Sequence, residues 1–277
     1  MPSVSSIRHS LTNKSPYFFT NAKTSGISVD FRVCKFMKKE GNVFKSSLCH
    51  GCYSATILTV YSNLAKKIQN LPQQDSVQLE LFEQTCKDIH SKYPEIKKLR
   101  FYALSDFHSD DIDFILVAKK YFIVDIISKT LTLPNYRKDL KTLINISNVW
   151  ISLSFNSQFI RHAEQIKTLL KEKNARNVQL NYTLNYKEDD PTDTKYQDFT
   201  VLHFKNKLKR KGMSLYPLPE TRLCAVFDAQ GNPVEGHGVC NLCNNCHLSF
   251  LDWKDGKKPS PPEKISPVLA KKSLAMR

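Results

Sequence analysis

A chain of 277 residues with 41% hydrophobic side chains is long enough for one α/β barrel or two smaller domains and can bury a real core, which excludes a disordered or fibrous protein. Its 41 Lys and Arg against 26 Asp and Glu leave a net charge of +15, which favours acidic partners, either nucleic acid or an acidic protein. Eight cysteines are too few for a disulfide scaffold, and seven of them fall in two tight groups, the pattern of metal binding in a reducing, intracellular compartment.

Residues 1–26 contain no acidic residue, lack the apolar core of a signal peptide and read as an N-terminal arm. No run of eighteen apolar residues occurs, so no membrane span is predicted. A first strand is expected over Ile27–Val33, where Ile27, Val29, Phe31 and Val33 alternate with Ser28, Asp30 and Arg32. It ends at Cys34, and after fourteen intervening residues come Cys49 and Cys52, spaced C-x2-C across a tight turn at Gly51. Thiolates so spaced point at one metal or cluster. A structural zinc site wants four ligands, and His50, next to Cys49, would point away from the pair. A [4Fe-4S] cluster held by three thiolates instead keeps one iron open for a substrate or cofactor. Cys34, Cys49 and Cys52 therefore read as a three-thiolate cluster site, with zinc or ordinary thiols as the alternatives.

A helix is predicted from about Ala55 to Asn70, stopped by Pro72, and a second over Val77–Lys92, whose apolar side includes Cys86 as a core residue. From Leu99 short apolar strands alternate with amphipathic helices: strand Leu99–Leu104, helix Ile112–Tyr121, strand Phe122–Ile127, helix Tyr136–Ile146, strand Val149–Ser154, helix Gln158–Lys173, strand Val178–Leu184, and a helix around Phe199–Lys211. With the run Ser214-Leu215-Tyr216-Pro217 as a sixth, the strands and their crossover helices predict an α/β fold with a parallel sheet, either a partial (β/α) barrel or a doubly wound sheet. If the strands are parallel, Cys34, Ser105 and Asp106, Ser128 to Thr130, Ser154 and Asn156, and Asn185 meet at one rim, where both architectures place their sites. Each of these polar residues also suits a helix cap or a turn.

Beyond Pro219 the pattern changes to Cys240, Cys243 and Cys246 in C-x2-C-x2-C, with Cys224 as a fourth thiolate. This second centre reads as a fully ligated Fe–S cluster or a zinc knuckle. Residues 254–277, rich in Lys, Pro and Ser, read as a disordered basic tail; it carries +5 of the +15 and leaves a basic body. The expected organisation is an arm over 1–26, a barrel over 27–221, a cysteine-rich segment over 222–253 and the tail.

The run Asn21-Ala22-Lys23-Thr24 before a strand, the loop Cys49-His50-Gly51-Cys52-Tyr53-Ser54-Ala55, the strand end Ser105-Asp106-Phe107-His108-Ser109, the strand Val149–Ser154 and the closing cysteines together resemble the phage gene product 88 family over roughly residues 20–253. Ser105 stands where that family has glycine, and Ser54 intervenes before Ala55. The wider order of strand, three-cysteine loop, alternating helices and strands, and auxiliary-cluster segment resembles the radical S-adenosylmethionine (SAM) enzymes. That resemblance implies SAM chelated by the open iron and cleaved to a 5′-deoxyadenosyl radical, with an external electron donor. It puts Tyr53 beside the adenine and Ser105 and Asp106 at the SAM amino group, with Ser154 and Asn156 on the same cofactor rim. The departure is the gap between Cys34 and Cys49, which exceeds the usual C-x3-C and needs an inserted excursion over Lys35–Leu48.

Two readings follow. In one the chain is an Fe–S enzyme of radical SAM type acting on a nucleic-acid or protein substrate. In the other, zinc or clusters only brace loops and a basic surface, including Lys205, Lys207, Lys209, Arg210 and Lys211, grips nucleic acid. No H-E-x-x-H, G-x-S-x-G or P-loop is present to suggest hydrolysis or nucleotide cleavage.

Overall fold

The computed structural model describes residues 17–20, 26–47, 53–72, 74–94, 96, 98–102, 104–183, 200–202 and 222–223. The chain divides into two compact units, residues 1–153 with 165–177, and residues 154–164 with 178–277.

The first unit holds a five-stranded sheet: β1 (Phe18–Thr20), β2 (Gly26–Val29), β5 (Lys98–Phe101), β6 (Ile123–Ser128) and β7 (Val149–Phe155, its last two residues in the second unit). Strand β1 runs antiparallel to β2, whereas β2, β5, β6 and β7 are parallel and lie side by side in chain order. The register explains the fold. Ile27, Leu99, Val124 and Val149 stand opposite one another, as do Val29, Phe101, Ile126 and Ile151, and every one is buried. These two rows form an apolar sheet face. Between them the alternate residues Ser28, Arg100, Asp125 and Trp150 line up on the other face.

Helices cover the apolar face. Helix α3 (Ser76–Lys92) starts where the Asp75 carboxylate accepts the Gln78 N–H at 2.8 Å, and its Phe82 packs with Phe31, Phe101 and Phe114 of α4 (Ile112–Ala118), ring centroids 5.2–6.4 Å apart. Cys86 of α3 is fully buried, as its place on the apolar side predicts. Helices α5 (Arg137–Leu143) and α6 (Ala163–Glu172) follow β6 and β7.

Several expectations are corrected here. The single helix expected over 55–70 is two, α1 (Tyr53–Val60) and α2 (Ser62–Gln69), interrupted at Tyr61, whose φ and ψ of −107° and 77° are not helical. The β-branched residues Thr56, Ile57, Thr59 and Val60 weaken helix propagation just there. The first strand ends at Val29, four residues earlier than expected, because the chain leaves the sheet to bury Phe31 among the aromatic rings. The excursion before Cys49 is a β-hairpin, β3 (Met37–Glu40) and β4 (Val43–Ser46), with Gly41 at φ +60° making the two-residue turn. The helix expected around 199–211 gives way at its start to a strand, β9 (Thr200–Leu202), a run that its β-branched residues favour.

In the second unit β8 (Val178–Thr183) pairs parallel with β9, and β9 parallel with β10 (Arg222–Leu223). No described helix is long and apolar enough to cross a membrane.

Candidate metal centre and its rim

Parallel strands leave their C-terminal ends on one edge of the sheet, and in the first unit two acids tie those ends together, Asp30 buried and Asp106 half-buried. Asp30, one residue past β2 and fully buried, accepts the Leu104 N–H at 2.9 Å, the Ser105 N–H at 2.8 Å and the Ser105 hydroxyl at 2.5 Å, all on Oδ1. Its Oδ2 is buried without a hydrogen-bond partner. Burial pushes this carboxyl above the usual carboxylate range, against the lowering pull of the Ser105 hydroxyl, the two N–H groups and the Arg100 charge. One loop further on, Asp106 accepts its neighbour Phe107 N–H at 2.7 Å, the Ser128 hydroxyl at 2.6 Å, and the Lys129 and Thr130 N–H groups at 3.1 and 3.3 Å. Burial likewise raises the Asp106 carboxyl, offset by the bonds from Ser128, Phe107, Lys129 and Thr130. Each acid thus fastens the end of its own strand to the loop after the next.

A third acid holds the rim from outside. Asp111 is fully buried and takes four donors: Arg32 Nη2 at 2.7 Å and Gln74 Nε2 at 2.8 Å on Oδ1, Tyr102 OH at 2.8 Å and the His108 N–H at 3.0 Å on Oδ2. Tyr102 sits in the left-handed region, φ +70°, which costs a bulky residue free energy and turns the chain out of β5 toward Asp30. Burial, then the Asp111 charge and hydrogen bond, raise its phenol well above the ordinary value.

Cys34 lies five residues beyond β2 as a half-buried thiol that is not in a disulfide. Its carbonyl accepts the Met37 N–H at 2.9 Å, which turns the chain into β3. The hairpin then closes on itself: Met37 pairs with Ser46, and the Ser47 N–H and hydroxyl both donate to the Phe36 carbonyl, at 2.9 and 3.2 Å. Phe44 plugs the hairpin into a small core with Ala55, Leu58, Ala65, Ile68 and Leu104, and its N–H donates to Thr59 Oγ1 at 2.8 Å. Beside Cys34 opens a pocket of about 450 Å³. Arg32, Lys35 and Lys39 supply its charged lining, and Val33, Met37, Phe44 and Leu71 contribute apolar lining.

The structure places Ser105, Asp106 and Ser128 at the strand ends of the first unit, with Ser128 bonded to Asp106, and Cys34 beside the pocket five residues beyond β2. Tyr53 is the first residue of α1. Ser154 and Asn156 belong to the second unit, where Asn156 Oδ1 accepts the Gln158 and Phe159 N–H groups at 3.1 and 3.3 Å, a turn-capping role. Cys49, Cys52, Cys224, Cys240, Cys243 and Cys246 lie outside the described residues, as do Asn185 and the basic run 205–211. Among the described residues no three His, Cys, Asp or Glu side chains gather as metal ligands. Asp30, Asp111, Arg100 and Asp125 do not stand out in the sequence as site residues; a charge inside or next to an alternating strand marks Asp30, Arg100 and Asp125, whereas Asp111 lies in the turn before α4.

No protein-family model, curated protein or solved structure matches the chain.

Proposed function

We propose that the chain is an iron–sulfur protein built on a radical SAM-like partial (β/α) barrel and related to the phage gene product 88 family. Cys34, Cys49 and Cys52 hold a [4Fe-4S] cluster, and Cys224, Cys240, Cys243 and Cys246 hold a second thiolate centre. Its substrate is a nucleic acid or a protein, in a reducing intracellular compartment.

The observation that carries this reading is the closed base of the hairpin. The long gap after Cys34 was the main departure from a radical SAM loop. With Met37–Ser46 folded out as a hairpin and Ser47 bonded to Phe36, only Lys35, Phe36, Ser47 and Leu48 separate Cys34 from Cys49 along the short path, four residues against the usual three. The donor set suits a thiophilic metal, and α1 begins directly after Cys52. Strands β2, β5, β6 and β7 add in chain order without the reversal of a doubly wound sheet, which supports a barrel.

When bound, the cluster and SAM supply one-electron reductive chemistry. The protein's own contribution is position. Asp30 and Asp106 hold the loops after β5 and β6 at fixed spacing, Arg32 anchors the chain two residues before Cys34 through Asp111, and the hairpin base returns the chain toward Cys49.

Anaerobic purification followed by metal analysis tests the reading. Wild-type protein is expected to be brown, to absorb broadly near ~400 nm and to contain iron. Cys34→Ala should lose the first centre's iron. Colourless protein carrying zinc and no iron overturns the enzyme and promotes a zinc-braced binding module.

A further inference from the structure

The inserted hairpin does more than bridge a gap, because its charges are arranged against local stability. Lys38 and Lys45 stand directly opposite across β3 and β4, a like-charge pair that weakens a two-stranded ribbon. Glu40 relieves one of them by pairing with Lys45. The alternate face packs inward through Met37 and Phe44, and from that face Lys39 reaches the lining of the pocket beside Cys34. There it meets Lys35, whose ammonium lies 3.9 Å from the centre of the Tyr136 ring, and Arg32. Among the described residues no carboxylate lines that pocket, and Val33, Met37, Phe44, Ile68 and Leu71 line it beside the cations. Lys35, Lys38 and Lys39 are all exposed.

Lys35 and Lys39 at the margin of a pocket whose lining includes Val33, Met37 and Leu71 suit a ligand that is anionic along its backbone and flat and apolar at intervals. An acidic peptide would satisfy the lysines and leave the apolar lining unused. We propose that the hairpin and the pocket form a grip for single-stranded nucleic acid, with phosphates on Lys35 and Lys39 and one base entering against Val33, Met37 and Leu71. The inference rests on the proposed cluster centre for its consequence, that the gripped strand is the substrate; the grip itself uses no metal.

The test is fluorescence anisotropy of a labelled single-stranded oligonucleotide, titrated with the full chain across a series of salt concentrations. Wild-type protein should bind with an affinity that falls steeply with salt. The variant Lys35→Gln/Lys39→Gln should lower the slope of log K against log salt by about 1.4, at ~0.7 per single-strand phosphate, and bind about 25-fold more weakly near 0.1 M salt. Leu71→Trp, which fills the pocket and leaves the charges, should weaken binding without changing that slope. Circular dichroism checks that both variants are folded, and iron content is measured on the same samples. An oligonucleotide bound through these lysines by protein without iron supports the grip and overturns only the cluster. No binding by the wild type, an unchanged slope in the double lysine variant, or equal binding of a polyglutamate peptide overturns the grip.

Discussion

Asp30 separates two accounts of how the rim is held, by charge or by hydrogen-bond acceptance. Its Oδ1 receives three donors, while its Oδ2 is buried with none. Asp30→Ala removes the acceptor and leaves the Leu104 and Ser105 N–H groups short of a partner; the half-buried Ser105 hydroxyl can turn away. At ~1–3 kcal/mol for each orphaned buried donor, the loss is about 3 kcal/mol. That is a fall in Tm of roughly 6–12 °C for a domain of ~150–250 residues. Asp30→Asn keeps an oxygen in place without a charge to desolvate, and should stay within ~1 kcal/mol of wild type near neutral pH. The pH dependence carries the sign. Because burial raises the folded-state carboxyl above its unfolded value, its contribution is fully present below the unfolded pKa and is lost as pH rises through the folded one. Wild type should therefore gain on Asp30→Asn as pH falls from neutral toward ~4. Urea unfolding of the three proteins across that range measures it. Equal destabilisation by Ala and Asn, or a difference that runs the other way with pH, would show that the ionised carboxylate and Arg100 hold these strand ends.

Asp111 should behave differently, because its four donors include a guanidinium. Asp111→Asn is expected to cost about 3 kcal/mol, and a loss under ~1 kcal/mol in chemical unfolding would contradict the four-donor arrangement. Cys86 is buried, and burial, helped by the Glu83 charge, pushes its thiol far above the ordinary value. In native protein at neutral pH it should resist a thiol reagent and react only on unfolding, as labelling followed by peptide mass analysis would show.

Much of the sheet was legible because its core rows are apolar at period two: Leu99 with Phe101, Val124 with Ile126, and Val149 with Ile151 announce their strands directly. Cys86 was legible for the same reason on a helix. The hairpin was not, because Met37-Lys38-Lys39-Glu40 is polar and buries almost nothing, so its strands are defined by pairing with each other and by Phe44 docking on α1. Helix periodicity ran through Tyr61 because side-chain spacing does not register a single non-helical peptide. At the rim, Ser105 and Asp106 were visible as polar strand-end residues. What they bind was hidden, since their partners Asp30, Ser128, Lys129 and Thr130 come from other strands, and those pairings exist only once the register is set.

The rim ties also bear on the order in which a thiolate centre could assemble. The chain before Cys34 is fixed twice without metal, by Asp30 four residues upstream and by the Arg32 pair with Asp111 two residues upstream. The chain before Cys49 is fixed by a separate set of contacts, the hairpin base at Ser47 and the packing of Phe44 on α1 and α2. Each ligand-bearing stretch therefore has its own support, and a metal would link two segments already anchored within a few residues of their thiols. Less chain ordering is then charged to the binding step, which favours a site that can lose and regain its metal without unfolding the sheet beneath it. The opposite holds where a metal is the main source of order in a small cysteine-rich segment, since there binding and folding are one event. On the proposed reading, removing metal should leave the sheet of the first unit standing, because its apolar rows and the Asp30 and Asp106 ties do not depend on thiolates.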